Sequence, residues 1–365
     1  MATKIRVLIV DDSAMMRRMI KNILETDAEI EVVGTARDGE DALVKARESR
    51  PDVVTLDVNM PVMDGLTCLV HLLEEQPDIE VVMLSSLTQE GALTTFEALE
   101  LGAFDFVGKP SGTVSANLYI VGKEIIAKVK AAAKHRRRNK RKAERPVRPS
   151  PSLLSGAVKR TAAGETSGVA PVVVVIGVST GGPGTLMEIL PKLPADLKAG
   201  VIVVQHMPPM FTASFAQRLD AYCRLPFSEA RSGDRLFAGR GFVAPGGMHL
   251  VLRKSSATGE VLLRLTQSPA DALFIPSVDV TMRSALEVYG RKMVGVLLTG
   301  MGSDGAEAMV AVRKAGGITI AEDESTAVVF GMPREAIERG GASVIAPAHK
   351  IAEEIVKAVK RVAME

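Results

Sequence analysis

The sequence reads as two α/β units joined by a linker: a doubly wound sheet of five parallel strands, then a second, mainly parallel sheet. Three observations predict this. Short apolar runs alternate with segments of helical period through both halves, the pattern of strand–helix–strand units. Hydrophobic residues make up 47% of the chain while aromatics are only 4% and Trp is absent, so the interior must come from Val, Ile, Leu, Ala and Met. Such strands suit sheets buried on both faces. Finally, the 365 residues exceed one average domain, and the alternation stops in the middle of the chain.

In the first half, strands are expected over Ile5–Val10, Ile30–Gly34, Val53–Asp57, Val81–Ser85 and Asp105–Gly108. Helices are expected over Ser13–Glu25, Glu40–Glu48, Gly65–Glu75, Glu90–Leu101 and Val121–Ala133. Lys134–Lys142 is almost wholly basic, and Arg145–Gly168 is rich in Pro, Ser, Gly and Ala. Few of these residues can pack, so 129–170 is expected to be a flexible linker between domains at 1–128 and 171–365. The basic run has no interleaved aromatic residue and no DNA-binding motif follows it. It reads as a solvated linker or helix end, and no nucleic acid partner is expected.

Alternation resumes at Pro171. Strands are expected over Val172–Ile176, Val201–Gln205, Gly241–Ala244, Val261–Thr266, Val294–Leu298, Ile318–Ala321 and Ser343–Ile345. Helices are expected over Gly184–Leu190, Thr212–Tyr222, Val278–Tyr289, Gly305–Lys314 and His349–Ala363. The stretch Arg240–Thr266 looks like a hairpin and is a source of antiparallel strands.

Composition narrows the class further. A net charge of +2 gives no strong attraction to polyanions. Cys68 and Cys223 fall in different halves and are too few for a disulfide framework, so both are expected to be reduced thiols. No apolar run approaches a membrane span or a signal-peptide core. A cytoplasmic protein without membrane insertion is expected.

The first half carries an acidic constellation. Asp11 and Asp12 end the first expected strand, Asp57 ends the third, Ser85 and Ser86 end the fourth, and Lys109 follows the fifth. In a parallel sheet these residues converge at one edge. Asp12 alone could simply cap a helix. Three carboxylates together repel one another unless a cation neutralises them, and oxygen ligands at that density suit Mg²⁺. An aspartate can attack phosphorus, and an ammonium and a hydroxyl can then hold the phosphoryl oxygens. These residues, with Met60-Pro61-Val62-Met63-Asp64-Gly65 and Lys109-Pro110, resemble the receiver domain of two-component response regulators over residues 4–125. The resemblance implies a flavodoxin-like fold and Asp57 as acceptor of a phosphoryl group from a histidine kinase. It further implies Mg²⁺ at Asp11, Asp12 and Asp57, with Lys109 and Ser85 sensing the phosphate.

The second half offers a serine site. Val172–Ile176 runs into Gly177-Val178-Ser179-Thr180-Gly181-Gly182, and a helix follows: the G-x-S-x-G pattern in the strand–turn–helix setting it requires. Glycines flank the serine because a sharp turn needs unusual backbone angles. The same segment could be a phosphate-binding turn, although it lacks the Lys-Ser/Thr ending of a P-loop. A serine needs a base, and His206 follows the strand Val201–Gln205, at the same expected sheet edge. Asp304, in the loop after Val294–Leu298, could orient the imidazole; alone, His206 could be a packed core histidine and Asp304 a helix N-cap. An α/β-hydrolase order of Ser179, Asp304 and His349 is the competing arrangement, and a non-enzymatic response regulator the competing class.

Gly177–Gly182, Gln205-His206-Met207-Pro208 and Leu298–Gly305, combined with a receiver half, closely resemble the chemotaxis protein-glutamate methylesterase (CheB) family. The resemblance implies Ser179 as nucleophile, His206 as base and Asp304 as orienter. It places Met301 at the oxyanion hole and Thr180 beside the nucleophile. It implies no cofactor in the esterase half, and methyl-accepting chemoreceptors as substrates, with methyl-esterified glutamates hydrolysed and some glutamines deamidated. Substrate glutamates on a large receptor helix require an open site, which a docked receiver could cover; phosphorylation of Asp57 is expected to weaken that docking.

Overall fold

The computed structural model describes residues 4–86, 88–109, 115–143 and 169–364. The chain separates into two compact units, Met1–Pro151 and Ser152–Glu365. No described helix is long and apolar enough to cross a membrane.

The first unit alternates strands and helices without interruption. Its strands are β1 (Ile5–Val10), β2 (Ile30–Ala36), β3 (Val53–Asp57), β4 (Glu80–Ser85) and β5 (Asp105–Gly108). They form one parallel sheet in the order β2-β1-β3-β4-β5. Val7–Val10 and Val53–Leu56 are wholly buried, which is why these strands read as unbroken apolar runs. The helices are α1 (Ala14–Leu24), α2 (Gly39–Ser49), α3 (Gly65–Glu75), α4 (Gln89–Leu101) and α5 (Ser115–Ala143). Ser13, Asp38, Asp64 and Thr88 cap the first four, each accepting from a backbone N–H three residues on.

α5 corrects the expected linker. It continues to Ala143, so the residues 129–143 are helical. The sequence suggested solvation because the segment is so basic, yet its faces are divided. Ala131, Ala132 and Ala133 are buried. Lys130 pairs with Asp27 and Glu29, His135 Nδ1 lies 2.8 Å from Glu80, and Arg136 reaches Asp52 and the Asp78 carbonyl. The remainder, 144–168, lies outside the described residues.

In the second unit seven strands form a parallel sheet in the order β14-β13-β12-β6-β7-β9-β8. These are β6 (Val172–Val178), β7 (Ala199–Gln205), β8 (Phe227–Glu229), β9 (Gly241–Val243), β12 (Met293–Leu297), β13 (Ile318–Glu322) and β14 (Val344–Ala346). A separate antiparallel pair, β10 (His249–Lys254) and β11 (Val261–Thr266), comes from the hairpin-like stretch. Gly241–Val243 of that stretch instead joins the main sheet as a parallel strand. The helices are α6 (Gly182–Ile189), α7 (Pro209–Tyr222), α8 (Val278–Tyr289), α9 (Ala306–Lys314), α10 (Met332–Glu338) and α11 (Ala348–Met364). Val175, Val204, Phe242, Leu250, Leu263, Met282 and Met309 pack in one core cluster. Burial of each such side chain contributes roughly 1.5–3 kcal/mol. The order of strands reverses at β6, which has β7 on one side and β12 on the other. A crevice beyond the carboxyl ends of these three strands follows from that reversal.

Candidate functional site

Ser179, His206 and Asp304 all lie in that crevice, on the loops that leave β6, β7 and β12. Ser179 is the first residue after β6. Its N–H donates to the Thr299 carbonyl at 2.9 Å, and its own carbonyl accepts from the Gly182 N–H at 2.8 Å. The expected unusual backbone angle falls at Gly181, with φ +74°, and not at Ser179. Gly177 is needed for space: a Cβ there would stand 2.4 Å from Val278 Cγ1. Gly300, on the facing loop, lets that loop press on Ser179, since its Cβ would lie 2.8 Å from Ser179 Cβ.

His206 is the first residue after β7, and its N–H donates to the Val178 carbonyl at 3.1 Å. Its Nε2 stands 2.8 Å from Asp304 Oδ2, and its ring stacks on Phe274 with centroids 4.1 Å apart and planes within 6°. Among the described residues its Nδ1 is buried and unpartnered. An ionised carboxylate can only accept, so the proton sits on Nε2 and the lone pair on Nδ1. The Gln205 side chain joins the two loops: its Nε2 donates to the carbonyls of Ser179, at 2.9 Å, and of His206, at 3.1 Å.

Asp304 is saturated. Oδ2 accepts from His206 and from the Val278 N–H at 2.7 Å, while Oδ1 accepts from Ser277 Oγ at 2.8 Å and from the Asp279 N–H at 3.0 Å. Two of these donors are first-turn N–H groups of α8, a natural seat for negative charge. Burial works to raise the Asp304 pKa, but the His206 hydrogen bond and charge and the two backbone donors prevail and hold it below the ordinary value. The carboxylate therefore stays ionised beside the imidazole.

Met301 and Thr180 lie on the loops that leave β12 and β6, beside Ser179. Among the described residues, neither N–H takes part in a hydrogen bond. The intervening Thr299 is pinned on every side. Its N–H donates to the fully buried Glu322, and its hydroxyl donates to the Thr180 carbonyl and accepts from the Val329 N–H. His249 is fully buried with both nitrogens engaged, by the Ser277 N–H at 3.1 Å and the Pro269 carbonyl at 3.0 Å. It is a structural histidine. His349 is exposed at the start of α11, beyond β14, and two strands separate β14 from β6. The arrangement with His349 as base gains no support.

In the first unit, the sites foreseen from the sequence also converge. Carboxylate oxygens of Asp11, Asp12 and Asp57 lie within 4.8 Å of one another. Lys109 Nζ bridges two of them, 2.8 Å from Asp11 and 2.7 Å from Asp57. Burial pushes the Asp57 pKa up; the Lys109 contact opposes this, and the Asp11 charge reinforces it. Burial acts to lower the Lys109 pKa, but its two carboxylate partners outweigh that, so the ammonium is held charged. This set of clustered hard oxygens fits Mg²⁺. The Ser85 hydroxyl donates to the Gly91 carbonyl at 3.0 Å. Pro110 lies outside the described residues.

Phe274, Ser277 and Glu322 were not singled out from the sequence, and Gln205 and Thr299 appeared there only within longer motif segments. Three left a trace. Gln205 and Glu322 are polar residues closing largely apolar strands, AGVIVVQ and ITIAE, in buried positions. Ser277 before Val278-Asp279 is a readable N-cap signal.

Two family models match the chain: CheB methylesterase over residues 174–355 and Response regulator receiver domain over residues 7–116. A protein-glutamate methylesterase/protein-glutamine glutaminase of Caldanaerobacter subterraneus subsp. tengcongensis is 53% identical over 366 residues, covering 100% of this chain and 99% of that one. Another of that name, from Syntrophomonas wolfei, is 52% identical over 98% of this chain and 100% of its own length. The crystal structure of the Thermotoga maritima CheB methylesterase catalytic domain is 45% identical, with a TM-score of 0.49, and covers 51% of this chain and 97% of that one.

Proposed function

We propose, from the premise that this chain belongs to the CheB methylesterase family with a response-regulator receiver domain, that Ser179, His206 and Asp304 hydrolyse side-chain esters of protein glutamates. The substrates are chemoreceptors carrying methyl-esterified glutamates, and the same site deamidates receptor glutamines. The observation that carries this reading is the imidazole: one nitrogen lies 2.8 Å from an ionised carboxylate, and the other is buried and, among the described residues, unpaired, on the loop that leaves the strand beside that of Ser179.

His206 Nδ1 takes the Ser179 hydroxyl proton as Oγ attacks the ester carbonyl. The negative charge on the carbonyl oxygen falls to the Met301 and Thr180 N–H groups, and such a donor supplies roughly 3–4 kcal/mol in the transition state. The C–OCH₃ bond breaks as His206 returns its proton to the departing oxygen, giving methanol and an acyl-Ser179. A water molecule, deprotonated by the same nitrogen, then frees the glutamate carboxylate and restores the serine. Asp304 stabilises the imidazolium through Nε2 in both halves, and Phe274 keeps one ring face dry. With a carboxamide the leaving group is ammonia, and the proton path is the same.

In the receiver domain, Asp57 is the phosphorylation site and a histidine kinase of a chemosensory system is the donor. Asp11, Asp12 and Asp57 would hold Mg²⁺, which when bound neutralises the carboxylates and the phosphoryl oxygens. Lys109 supplies a fixed positive charge, and the Ser85 hydroxyl turns from the Gly91 carbonyl to a phosphoryl oxygen. Methanol release from methylated receptor membranes, with a phosphodonor present, tests the enzyme reading. Ser179→Ala reduces release to background; release at the wild-type rate overturns the proposal.

A further inference from the structure

Asp304 is held by more than its own four hydrogen bonds. α9 begins at Ala306, and its N-cap, Gly305, has no side chain to cap it. The cap comes instead from Asp279, in the first turn of α8. Asp279 Oδ1 accepts from the Ala308 N–H at 2.7 Å. In return Asp304, one residue before Gly305, accepts the N–H groups of Val278 and Asp279 at the start of α8. The start of α8 thus rests on a carboxylate from the loop before α9, and the start of α9 on one from α8. Asp279 makes both halves of the exchange: its N–H goes to the Asp304 side chain, and its carboxylate to the Ala308 N–H in the first turn of α9.

We propose that Asp279 is a positioning residue for the ester hydrolysis, fixing the Asp304 carboxylate against His206 Nε2. This rests on the reading of Ser179, His206 and Asp304 given above. The need for a second anchor is geometric. The loop 298–305 is rich in glycine, with positive φ at Gly302 and Gly305, so its backbone alone does not fix where Asp304 points. An orienting carboxylate displaced by about 1 Å loses its alignment with the imidazole, and misplacement on that scale can cost about 100-fold in rate. The charged neighbours of Asp279 are Asp304 and Arg283; burial, the largest influence, and Asp304 push its pKa up, while the Ala308 and Gly305 N–H groups and Arg283 pull it down. Among the described residues no hydrogen bond joins Asp279 to Ser179 or His206, so its effect reaches the chemistry through Asp304.

The test uses the full chain and methylated receptor membranes, measuring kcat, KM and the pH profile of kcat/KM for Asp279→Ala, Asp279→Asn and Asp304→Ala. Asp279→Ala removes both acceptors; Asp279→Asn keeps the shape and one acceptor oxygen. The expected order of kcat is wild type, Asp279→Asn, Asp279→Ala, Asp304→Ala, with Asp279→Ala about 10–100-fold below wild type and KM within twofold. The acid limb of kcat/KM moves to lower pH in the same order, because a misaligned carboxylate stabilises positive charge in the crevice less. A variant that is merely less folded loses rate equally at all pH values. Loss of kcat with an unmoved acid limb in both Asp279 variants, or wild-type kcat in Asp279→Ala, overturns the proposal. Should Asp279→Ala not fold, the acid limb of Asp279→Asn decides alone. If Asp304→Ala itself keeps wild-type kcat and pH profile, it is the underlying reading of the site that fails.

Discussion

Replacing Asp304 by Ala removes the one group on which His206, Ser277, Val278 and Asp279 all converge. The losses differ in kind. The Ser277 hydroxyl can turn to another acceptor, and water can reach His206 Nε2 as the crevice opens to substrate. The Val278 and Asp279 N–H groups, at 2.7 and 3.0 Å, become orphan donors at the buried start of α8. At about 1–3 kcal/mol for each donor left unsatisfied, with water recovering part, the cost is about 2–4 kcal/mol. For a domain of this size that lowers Tm by about 4–15 °C. The catalytic loss is larger. Without the carboxylate nothing holds the proton on Nε2 or stabilises the imidazolium, and loss of such an orienter costs about 10³–10⁴ in kcat. KM should hardly move, because Asp304 is spent entirely on protein donors. Methanol release from receptor membranes gives kcat and KM, and a thermal melt gives the stability. The Asp304 pKa is depressed, so its stabilisation is complete above the ordinary 3.8 and is lost as pH falls through the folded value. The Tm gap between wild type and variant is therefore flat from about pH 5 to 8 and narrows below. A folded Asp304→Ala protein with kcat within tenfold of wild type, or with KM raised and kcat kept, refutes the reasoning.

Three further outcomes follow from the same contacts. Gln205→Met keeps the volume but removes both donors linking Ser179 to His206; kcat falls roughly 10-fold, about 1.4 kcal/mol, in steady-state methanol release, whereas an unchanged kcat would show that the link does not set their spacing. In the receiver domain the Asp57 pKa is raised, so Mg²⁺ affinity weakens as pH falls toward 3.8 from above; calorimetric titration at several pH values reads this, and Asp57→Asn abolishes the rise in activity produced by a phosphodonor. Cys68 is buried and its thiol is pushed up to about 12, chiefly by burial, so a thiol reagent leaves it unmodified in the native protein and labels it in denaturant.

Much of this was open to reading because parallel strands buried on both faces write themselves as apolar runs. β6, β7 and β12 are such runs, and the residue or loop that follows each carries a chemical group, so Ser179, His206 and Asp304 could be found by following the strands. Elements without that pattern escaped. β8 is three residues long and follows a proline, and β10 ends in the exposed charges of Arg253 and Lys254, which blur its register. α10 starts with Pro333 just inside its first turn, after a glycine, and a short helix flanked in this way reads as a turn. The basic end of α5 misled because charge alone does not reveal partners: Glu80, Asp52 and Asp27 lie on other elements, 55 to 103 residues distant in sequence. The supports of the site were hidden for a related reason. Thr299 and Gln205 act through backbone groups on neighbouring loops and Ser277 through the Asp304 carboxylate, and only the approach of β6, β7 and β12 brings those groups within reach.

The central claim is that Ser179 is a nucleophile made reactive by His206. A fluorophosphonate probe of serine hydrolases, followed by mass spectrometry of the intact chain and its peptides, tests it directly. The account predicts one adduct, on Ser179, forming at least 100-fold more slowly in His206→Ala. A chain that stays unlabelled, or one labelled at another serine while Ser179→Ala still releases methanol, contradicts it.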